Sequence, residues 1–354
     1  MVENIQQIYL TNPATKKAWQ QFLTSQGLDN FFNQELAGLD QTFAIYDGQE
    51  QMVGTGSIAG QTLKYLAVST AGASKGARFN RLVSMLETTL AQEGIFHLFV
   101  FTKVEYEQSF VHVGFTTLAK TNTGLILEKG LPNVASFRAA LPKKPASAMR
   151  VAAVVLNANP FTKGHRYLIE KAAQQNDFVY VFVVEEDQSL FTTEERLGLV
   201  QEGTSDLTNI VVATGGPYMV SSLSFPAYFL KDDSQRVFYQ TRLDAALFKE
   251  QIAKPLAITS RYVGTEPLSQ TTGQYNQALE EVLPPEVQLV LVPRMLEPAG
   301  SQQVISARTV RKAIAAGRVQ EVVDMLPASS VSFIENHLTD LQARIKKGQK
   351  IDGN

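Results

Sequence analysis

The second half of the chain alternates short unbroken apolar runs with stretches whose apolar residues recur at every third or fourth position. Val151 to Leu156, Phe178 to Val184, Asn209 to Thr214, the run from Arg261 and Val287 to Val292 are the strand candidates. Runs rich in β-branched residues, without polar alternation, are the pattern of parallel strands covered on both faces. Between them, Leu168, Ile169 and Ala172, and later Asp244, Leu247, Phe248 and Ile252, keep helical spacing; Arg318 to Leu326 and Val331 to Lys347 close the series as helices. Strands alternating with helices imply an α/β domain, a doubly wound parallel sheet with right-handed crossovers.

The first 142 residues read differently. Thr42 to Tyr46 and Met52 to Ile58 flank the turn signal Asp47-Gly48, Thr62 to Val68 is a further strand, and Phe96 to Thr102 a buried one. A helix through Leu82, Leu86 and Leu90 follows the small-residue stretch Ser69 to Gly76. That stretch and Phe110-Val-His-Val-Gly-Phe115 resemble a GNAT-type acetyltransferase domain, an α+β fold whose glycine-rich turn holds a CoA pyrophosphate on backbone N–H groups. Gly72, Gly76 and Ala77 are the remnants of that turn, and no catalytic acid or base accompanies them. The resemblance therefore implies a domain that binds a CoA-like arm or is structural, rather than one that transfers acetyl groups. His97 and His112 take no role. Lys129 to Ala148, with three prolines and clustered lysines, reads as a linker. The expected division is a GNAT-like domain over residues 1–142 and a nucleotide-binding domain over 148–347.

Composition narrows the function classes. A chain of 354 residues with 44% hydrophobic and 19% charged residues has the balance of a soluble protein of two or three domains. The formal net charge of −2 leaves no basic excess for nucleic acid. The absence of cysteine excludes a disulfide framework, a thiolate nucleophile and a Cys-based zinc site, and four scattered histidines make no metal cluster. MVENIQQIYL is unlike a secretory leader, and no run of about 18 apolar residues occurs, so a cytoplasmic protein without membrane contact is expected.

The candidate chemistry lies in Arg150 to Ala173, RVAAVVLNANPFTKGHRYLIEKAA. A buried strand runs into a polar turn, and a helix begins near Thr162 to Gly164. A helix start at the carboxyl edge of a parallel sheet offers unpaired N–H groups and the positive end of the helix dipole, which suit phosphate oxygens. Gly164 permits close approach of a ligand to the backbone, His165 adds an imidazole N–H, and Thr162 and Lys163 add a hydroxyl and a flexible cation. For a lone Gly-His pair, a turn in which Pro160 and Gly164 only shape the chain and His165 is a solvated helix residue is the better explanation.

The longer stretch resembles the T-x-G-H signature of the nucleotidyltransferase (HIGH) superfamily, and N-x-N-P-F-T-x-G-H-x-Y-L-I-E resembles the version in citrate lyase ligases. Asn159 stands where many relatives have a first histidine or an aspartate. Further matches are Tyr218-x-x-Ser with Phe225-Pro-x-Tyr-Phe, Val263-Gly-Thr-Glu-Pro267 followed by Tyr275-Asn276, and Ile305-Ser-Ala-Arg-Thr-Val-Arg311. The last resembles the superfamily's second signature, I-S-x-[ST]-x-x-R, but Arg308 replaces the usual Ser or Thr. The resemblance implies a Rossmann-like catalytic domain with His165, Lys163 and Arg311 stabilising charge on the reacting phosphates. It implies ATP contacts from Asn157, Asn159, Thr162, Gly164, Gly264, Thr265 and Ser306. It further implies ATP with Mg²⁺, acetate activation as acetyl-adenylate, and transfer to the thiol of the CoA-like prosthetic group on the citrate lyase acyl carrier protein. Two other readings of the same residues stay open: an adenylyltransferase acting on a phosphate acceptor, and a non-enzymatic nucleotide sensor.

Overall fold

The computed structural model describes residues 3–70, 75–185, 189–219, 234–265, 270–295, 305–349 and 351. In it the chain builds two sheets and divides into two units, Met1–Phe137 with Ser222–Leu247, and Arg138–Ser221 with Phe248–Asn354.

The first unit contains β1 (Asn4–Ile8), α1 (Pro13–Ser25), α2 (Asn33–Ala37), β2 (Gln41–Tyr46), β3 (Met52–Ala59) and β4 (Thr62–Val68). After these come α3 (Lys75–Gln92), β5 (His97–Thr102), α4 (Glu107–His112), β6 (Thr116–Lys120), β7 (Leu125–Gly130) and α5 (Val134–Ala140), within which the division falls. The mixed sheet runs β1-β2-β3-β4-β5-β7-β6, and only β4 and β5 pair in parallel. Leu82, Leu86 and Leu90 of α3 are buried on it, as their spacing requires.

One irregularity shapes this sheet. Tyr65, fully buried, sits at φ +52, and the β3–β4 register shifts between Thr55 and Ser57. Such a bulge bends its strand. Strands β4 and β5 pair only at Thr62–Phe99 and Leu63–Val100, and a cleft of about 760 Å³ opens where they diverge. Leu66, Val68, Val100, Phe79 and Phe110 supply its apolar lining.

The expected linker is more ordered than its prolines suggest. Lys129 and Gly130 finish β7, and Asn133 caps α5 by accepting from the Ser136 N–H (3.0 Å), while the Glu128 carboxylate accepts from the Val134 N–H (3.1 Å). His97 is buried and bonded to Glu128 (2.8 Å), whereas His112 is exposed.

The second unit contains β8 (Val151–Leu156), α6 (Lys163–Gln175), β9 (Phe178–Val183), α7 (Thr193–Gly203) and β10 (Ile210–Thr214). The chain then gives α8 (Ser234–Leu247) to the first unit and resumes with β11 (Ser260–Gly264), α9 (Gln270–Val282), β12 (Gln288–Val292), α10 (Ala307–Ala316) and α11 (Ala328–Lys346). All five strands are parallel in the order β10-β9-β8-β11-β12, the doubly wound sheet expected from the apolar runs. The order reverses between β8 and β11, and ligands bind such sheets in the crevice at the carboxyl ends beside that reversal. Val154, Val181, Ile169, Val310 and Ile314 are fully buried in the core that joins the sheet to α6 and α10.

Three boundaries correct the sequence reading. A continuous domain over 148–347 does not hold, because Tyr239, Leu243 and Leu247 of α8 are buried in the first unit, where α8 packs on β6 and β7. Helical spacing specifies an apolar face but not the core that receives it. The helix through Asp244 to Ile252 changes at Phe248 into a π-helical turn, Phe248–Ala253, and Val319–Met325 is a 3₁₀ helix rather than an α-helix.

Gly124 makes room for α8. A Cβ there would stand 2.8 Å from the Tyr239 ring and 2.9 Å from the Thr102 carbonyl. Gly124→Ala is expected to destabilise the protein by about 1–3 kcal/mol through overpacking, read as a lower urea midpoint with an unchanged m-value.

Candidate active site

The turn after β8 is held by buried cations that grip its backbone. Arg196, fully buried in α7, donates to the carbonyls of Asn157 (2.7 Å), Val184 (2.6 Å) and Phe191 (3.2 Å), and to the Asn157 side chain (3.0 Å). Arg311, 1% exposed, donates to the Asn159 carbonyl and to the Ile351 carbonyl (3.0 Å). Ser330 donates to the Phe161 carbonyl (2.8 Å), and Asn159 Oδ1 accepts from the Phe191 N–H (3.2 Å). Within this clamp Ala158 is held at φ +53, a left-handed conformation that costs a non-glycine residue about 1 kcal/mol.

Thr162 caps α6, and the cap decides the protonation of His165. The Thr162 N–H donates to His165 Nδ1 (3.1 Å), and the His165 N–H donates to Thr162 Oγ1 (3.4 Å). A ring nitrogen that accepts from a backbone N–H carries no proton, so the neutral imidazole has its proton on Nε2. Burial lowers the His165 pKa to about 4, with the charges of Arg294 and Arg311 acting in the same direction. The ring lies nearly parallel to Phe161, with centroids 6.1 Å apart. At neutral pH His165 is therefore a neutral hydrogen-bond donor in the first turn of α6.

Two other sheet-edge segments approach this turn. Ile305 donates its N–H to the Met295 carbonyl (3.2 Å), and its side chain would be 3.7 Å from a Cβ built on Gly164. At the end of β11, the Thr265 N–H donates to the Val292 carbonyl (2.9 Å), while Thr265 Oγ1 and its carbonyl accept from the N–H (3.3 Å) and Nε (2.9 Å) of Arg294. Desolvation lowers the Arg294 pKa. Among the described residues, chain neighbours aside, none lies within 4 Å of where a Gly264 Cβ would be, and the Gly264 carbonyl accepts from Asn276 Nδ2 (3.1 Å).

The expected site residues thus separate by role. His165, Lys163 and Gly164 share the first turn of α6, partly exposed, and Lys163 lines a cleft of about 600 Å³ together with Met295. Ser306 caps α10 and is partly exposed, without a side-chain cap bond of its own. Thr162 and Asn159 are buried, with the Thr162 hydroxyl spent on the cap and the Asn159 groups on Phe191 and Arg311. Asn157 is committed to Arg196, and Thr265 to Arg294. These four residues, expected as direct ATP contacts, are hydrogen-bonded within the turn and its supports. Arg311, expected at the phosphates, is buried against backbone carbonyls. Arg308 and Thr309 are exposed. Gly72, residues 220–233, Glu266, Pro267 and the 297–303 segment lie outside the described residues.

Two arginines were not foreseen as parts of the site. Arg196 follows a capping box, Thr192 to Glu195, whose local pattern explains it as an ordinary helix residue. Arg294 follows Pro293 as an isolated cation. Only the strand order brings either to the turn.

The five-stranded parallel sheet, with a capped helix start and cations at its carboxyl edge, defines an α/β domain of the nucleotidyltransferase type. The model of the citrate lyase ligase C-terminal domain matches residues 151–334. The chain is 32% identical to a [citrate [pro-3S]-lyase] ligase of Escherichia coli over 84% of this chain and 86% of that one. It is also 32% identical to the ligase of Haemophilus influenzae, over 87% of this chain and 94% of that one. The protein belongs to the citrate lyase ligase family. The first unit is similar to a GNAT-family acetyltransferase structure from Staphylococcus aureus, at 13% identity over 37% of this chain and 99% of that one, with a TM-score of 0.31.

The low pKa of His165 carries a stability signature. Above pH 6.5 the imidazole is neutral folded and unfolded; between pH 6.5 and about 4 only the unfolded chain takes up the proton, so stability falls as pH is lowered through that window. Urea unfolding at pH 7 and pH 5 should show a smaller loss for His165→Asn than for the parent protein. Arg196→Met is expected to cost about 3–5 kcal/mol, because several buried carbonyls lose their donor at once. The same unfolding measurement at pH 7 reads it.

Proposed function

We propose that the protein is an AMP-forming acid–thiol ligase: it activates acetate as acetyl-adenylate and passes the acetyl group to the thiol of a CoA-like prosthetic group on the citrate lyase acyl carrier protein. The observation that carries this reading is the neutral His165, with its proton on Nε2, in the first turn of a helix at the carboxyl edge of the sheet. In this reading the triphosphate of ATP lies over the α6 N-terminus, where the first-turn N–H groups and His165 Nε2–H meet the α-phosphate oxygens. Lys163 takes charge on the departing pyrophosphate. Gly164 lets the phosphate approach the backbone, and Gly264, at the tip of β11, lets the nucleoside do the same.

An acetate oxygen attacks the α-phosphorus, the bond to the bridging oxygen of pyrophosphate breaks, and acetyl-adenylate forms. The thiol sulfur then attacks the acyl carbon, and AMP leaves. A carboxylate is already a nucleophile at neutral pH, so the first step needs no general base. That suits a histidine whose pKa of about 4 makes it a poor base and a constant donor.

Mg²⁺ belongs with this reading as a companion of the nucleotide. Among the described residues no cluster of histidine and carboxylate groups could hold a metal, and Mg²⁺ commonly binds through phosphates and waters. Its chemistry there is neutralisation of phosphate charge. The prosthetic arm finds a fitting place in the cleft between β4 and β5, whose apolar lining and diverging strand edges suit an extended amide-bearing chain.

ATP–pyrophosphate exchange with and without acetate tests the first step. Acetate-dependent exchange is expected, reduced about 100-fold or more in His165→Ala, the usual cost of one preorganised donor. Exchange that requires a phosphorylated acceptor instead would replace this reading with that of an adenylyltransferase. Val100→Trp, which fills the cleft, is expected to slow acetylation of the carrier protein while leaving exchange intact.

A further inference from the structure

We infer that Arg261 binds the carboxylate of the acid substrate, and that the acid lies in the crevice between β8 and β11 on the sheet face away from α6. The inference rests on the ligase reading above and deepens it by naming the acid's anchor.

Alternation along β11 sends Arg261 and Val263 to one face of the sheet and Ser260 and Tyr262 to the other. Tyr262 faces α6: its hydroxyl donates to Gln175 Oε1 at the end of that helix (2.8 Å), and it shares a core with Val154 and Ile169. Arg261 therefore lies on the opposite face, in register with Ala153 of β8. It is 2% exposed, and its guanidinium stands 4.3 Å from the centre of the Phe248 ring and 5.8 Å from that of Tyr275. Nη2 donates to the Tyr275 hydroxyl (2.7 Å), whereas Nε and Nη1 meet no acceptor among the described residues. Aromatic faces attract a cation but accept none of its directed N–H bonds as an oxygen does. A buried cation with two idle donors is costly, and an anion that accepts from them relieves the cost.

The same face opens toward the carboxyl edge. Strands β8 and β11 pair as far as Tyr262 with Val154, whereas β8 stays paired with β9 to Leu156 and β11 with β12 to Gly264. The two strands thus part where the sheet order reverses, which is where such sheets take their ligands. Val155 and Val263, the residues just beyond the last pair, share the face of Arg261 and are partly exposed. In β8, β9 and β11 every other position except Gly264 is buried. Arg261 is thus one step below a crevice walled by two valines. Asn276, next to Tyr275, bonds the Gly264 carbonyl (3.1 Å) and so ties α9, with the tyrosine that orients the guanidinium, to the end of β11.

A short carboxylic acid suits this place. One carboxylate oxygen accepts from Arg261 in a charge-assisted bond, the other remains for attack on the α-phosphorus, and the methyl group rests on the valines. One guanidinium carries one charge, which a carboxylate balances and a dianionic phosphate exceeds. In-line displacement brings the nucleophile in opposite the departing group. With Lys163 and the start of α6 receiving pyrophosphate on one side of the sheet edge, Arg261 presents the acid from the other.

Exchange kinetics and unfolding test the assignment together. In ATP–pyrophosphate exchange, Arg261→Met should raise the acetate KM about 10- to 100-fold, the range of a lost charge-assisted hydrogen bond, and leave the ATP KM within about 2-fold. Arg261→Lys should recover part of the loss. Tyr275→Phe, which removes the tie on Nη2 and keeps the ring, should raise the acetate KM about 3-fold. In urea unfolding without nucleotide, sodium acetate should raise the parent's midpoint above that in sodium chloride of equal ionic strength, and should not do so for Arg261→Met. A structural role for Arg261 would not make either effect selective for acetate. An unchanged acetate KM, equal rises for acetate and ATP, or acetate protection that survives in Arg261→Met would overturn the inference. So would protection by sodium phosphate, but not by acetate, that disappears with Arg261. If Arg261→Met does not fold, Arg261→Gln takes its place under the same criteria. The unfolding arm contains no ATP, so Arg261-dependent protection by acetate upholds the assignment even where exchange, and with it the ligase reading, fails.

Discussion

A single hydrogen bond, from the Thr162 N–H to His165 Nδ1, governs what the site can be. It belongs to the cap of α6, so forming the helix and choosing the tautomer are one event. With Nδ1 occupied, the proton resides on Nε2, and burial beside two arginines keeps the ring from gaining a second proton at neutral pH. The histidine is consequently a fixed dipole rather than a titrating base. A preorganised dipole of that kind acts on developing charge without reorienting, which is the circumstance in which electrostatic stabilisation is most effective.

The cap would be of little use on a mobile turn, and much of the second unit's polar interior serves to immobilise it. Arg196 gathers carbonyls from Asn157, Val184 and Phe191, Arg311 takes that of Asn159, and Ser330 that of Phe161. These donors come from three helices, α7, α10 and α11. Buried guanidinium groups are costly to desolvate, and here they are compensated by carbonyl oxygens the turn would otherwise leave unpaired. The same accounting explains why Ala158 tolerates a left-handed conformation: the surrounding bonds determine its backbone more strongly than its own preference does.

In the first unit a different local distortion has a comparable effect. The bulge at Tyr65 bends β4 away from β5, and a sheet that would otherwise be continuous opens into a cleft. The helix α8, contributed from far along the chain, covers β6 and β7 of that sheet, so the first unit is complete only after the first segment of the second, Arg138–Ser221, has been made. The two units are thus interwoven in sequence, although each has its own sheet and core.

Much of this was legible in the chain itself. The five parallel strands and the start of α6 near Thr162 to Gly164 follow from apolar periodicity and turn chemistry, which act over a few residues and leave a local record, whereas the convergence of its first turn with the Ile305 segment was implied by the resemblance of both to the superfamily's signatures. The roles of the arginines were not legible, because Arg311 and Asn159 meet across 152 positions and their contact depends on how α10 packs under β8. Nor does a helical repeat say which core will receive it, and α8 went to the sheet whose Gly124 leaves space for Tyr239. Sequence alone determined the elements, the edge at which chemistry gathers and the residue types brought there. Tertiary structure decided which of those residues face the site and which hold it together, because exposure and hydrogen-bond partnership are set by long-range packing rather than by neighbours in the chain.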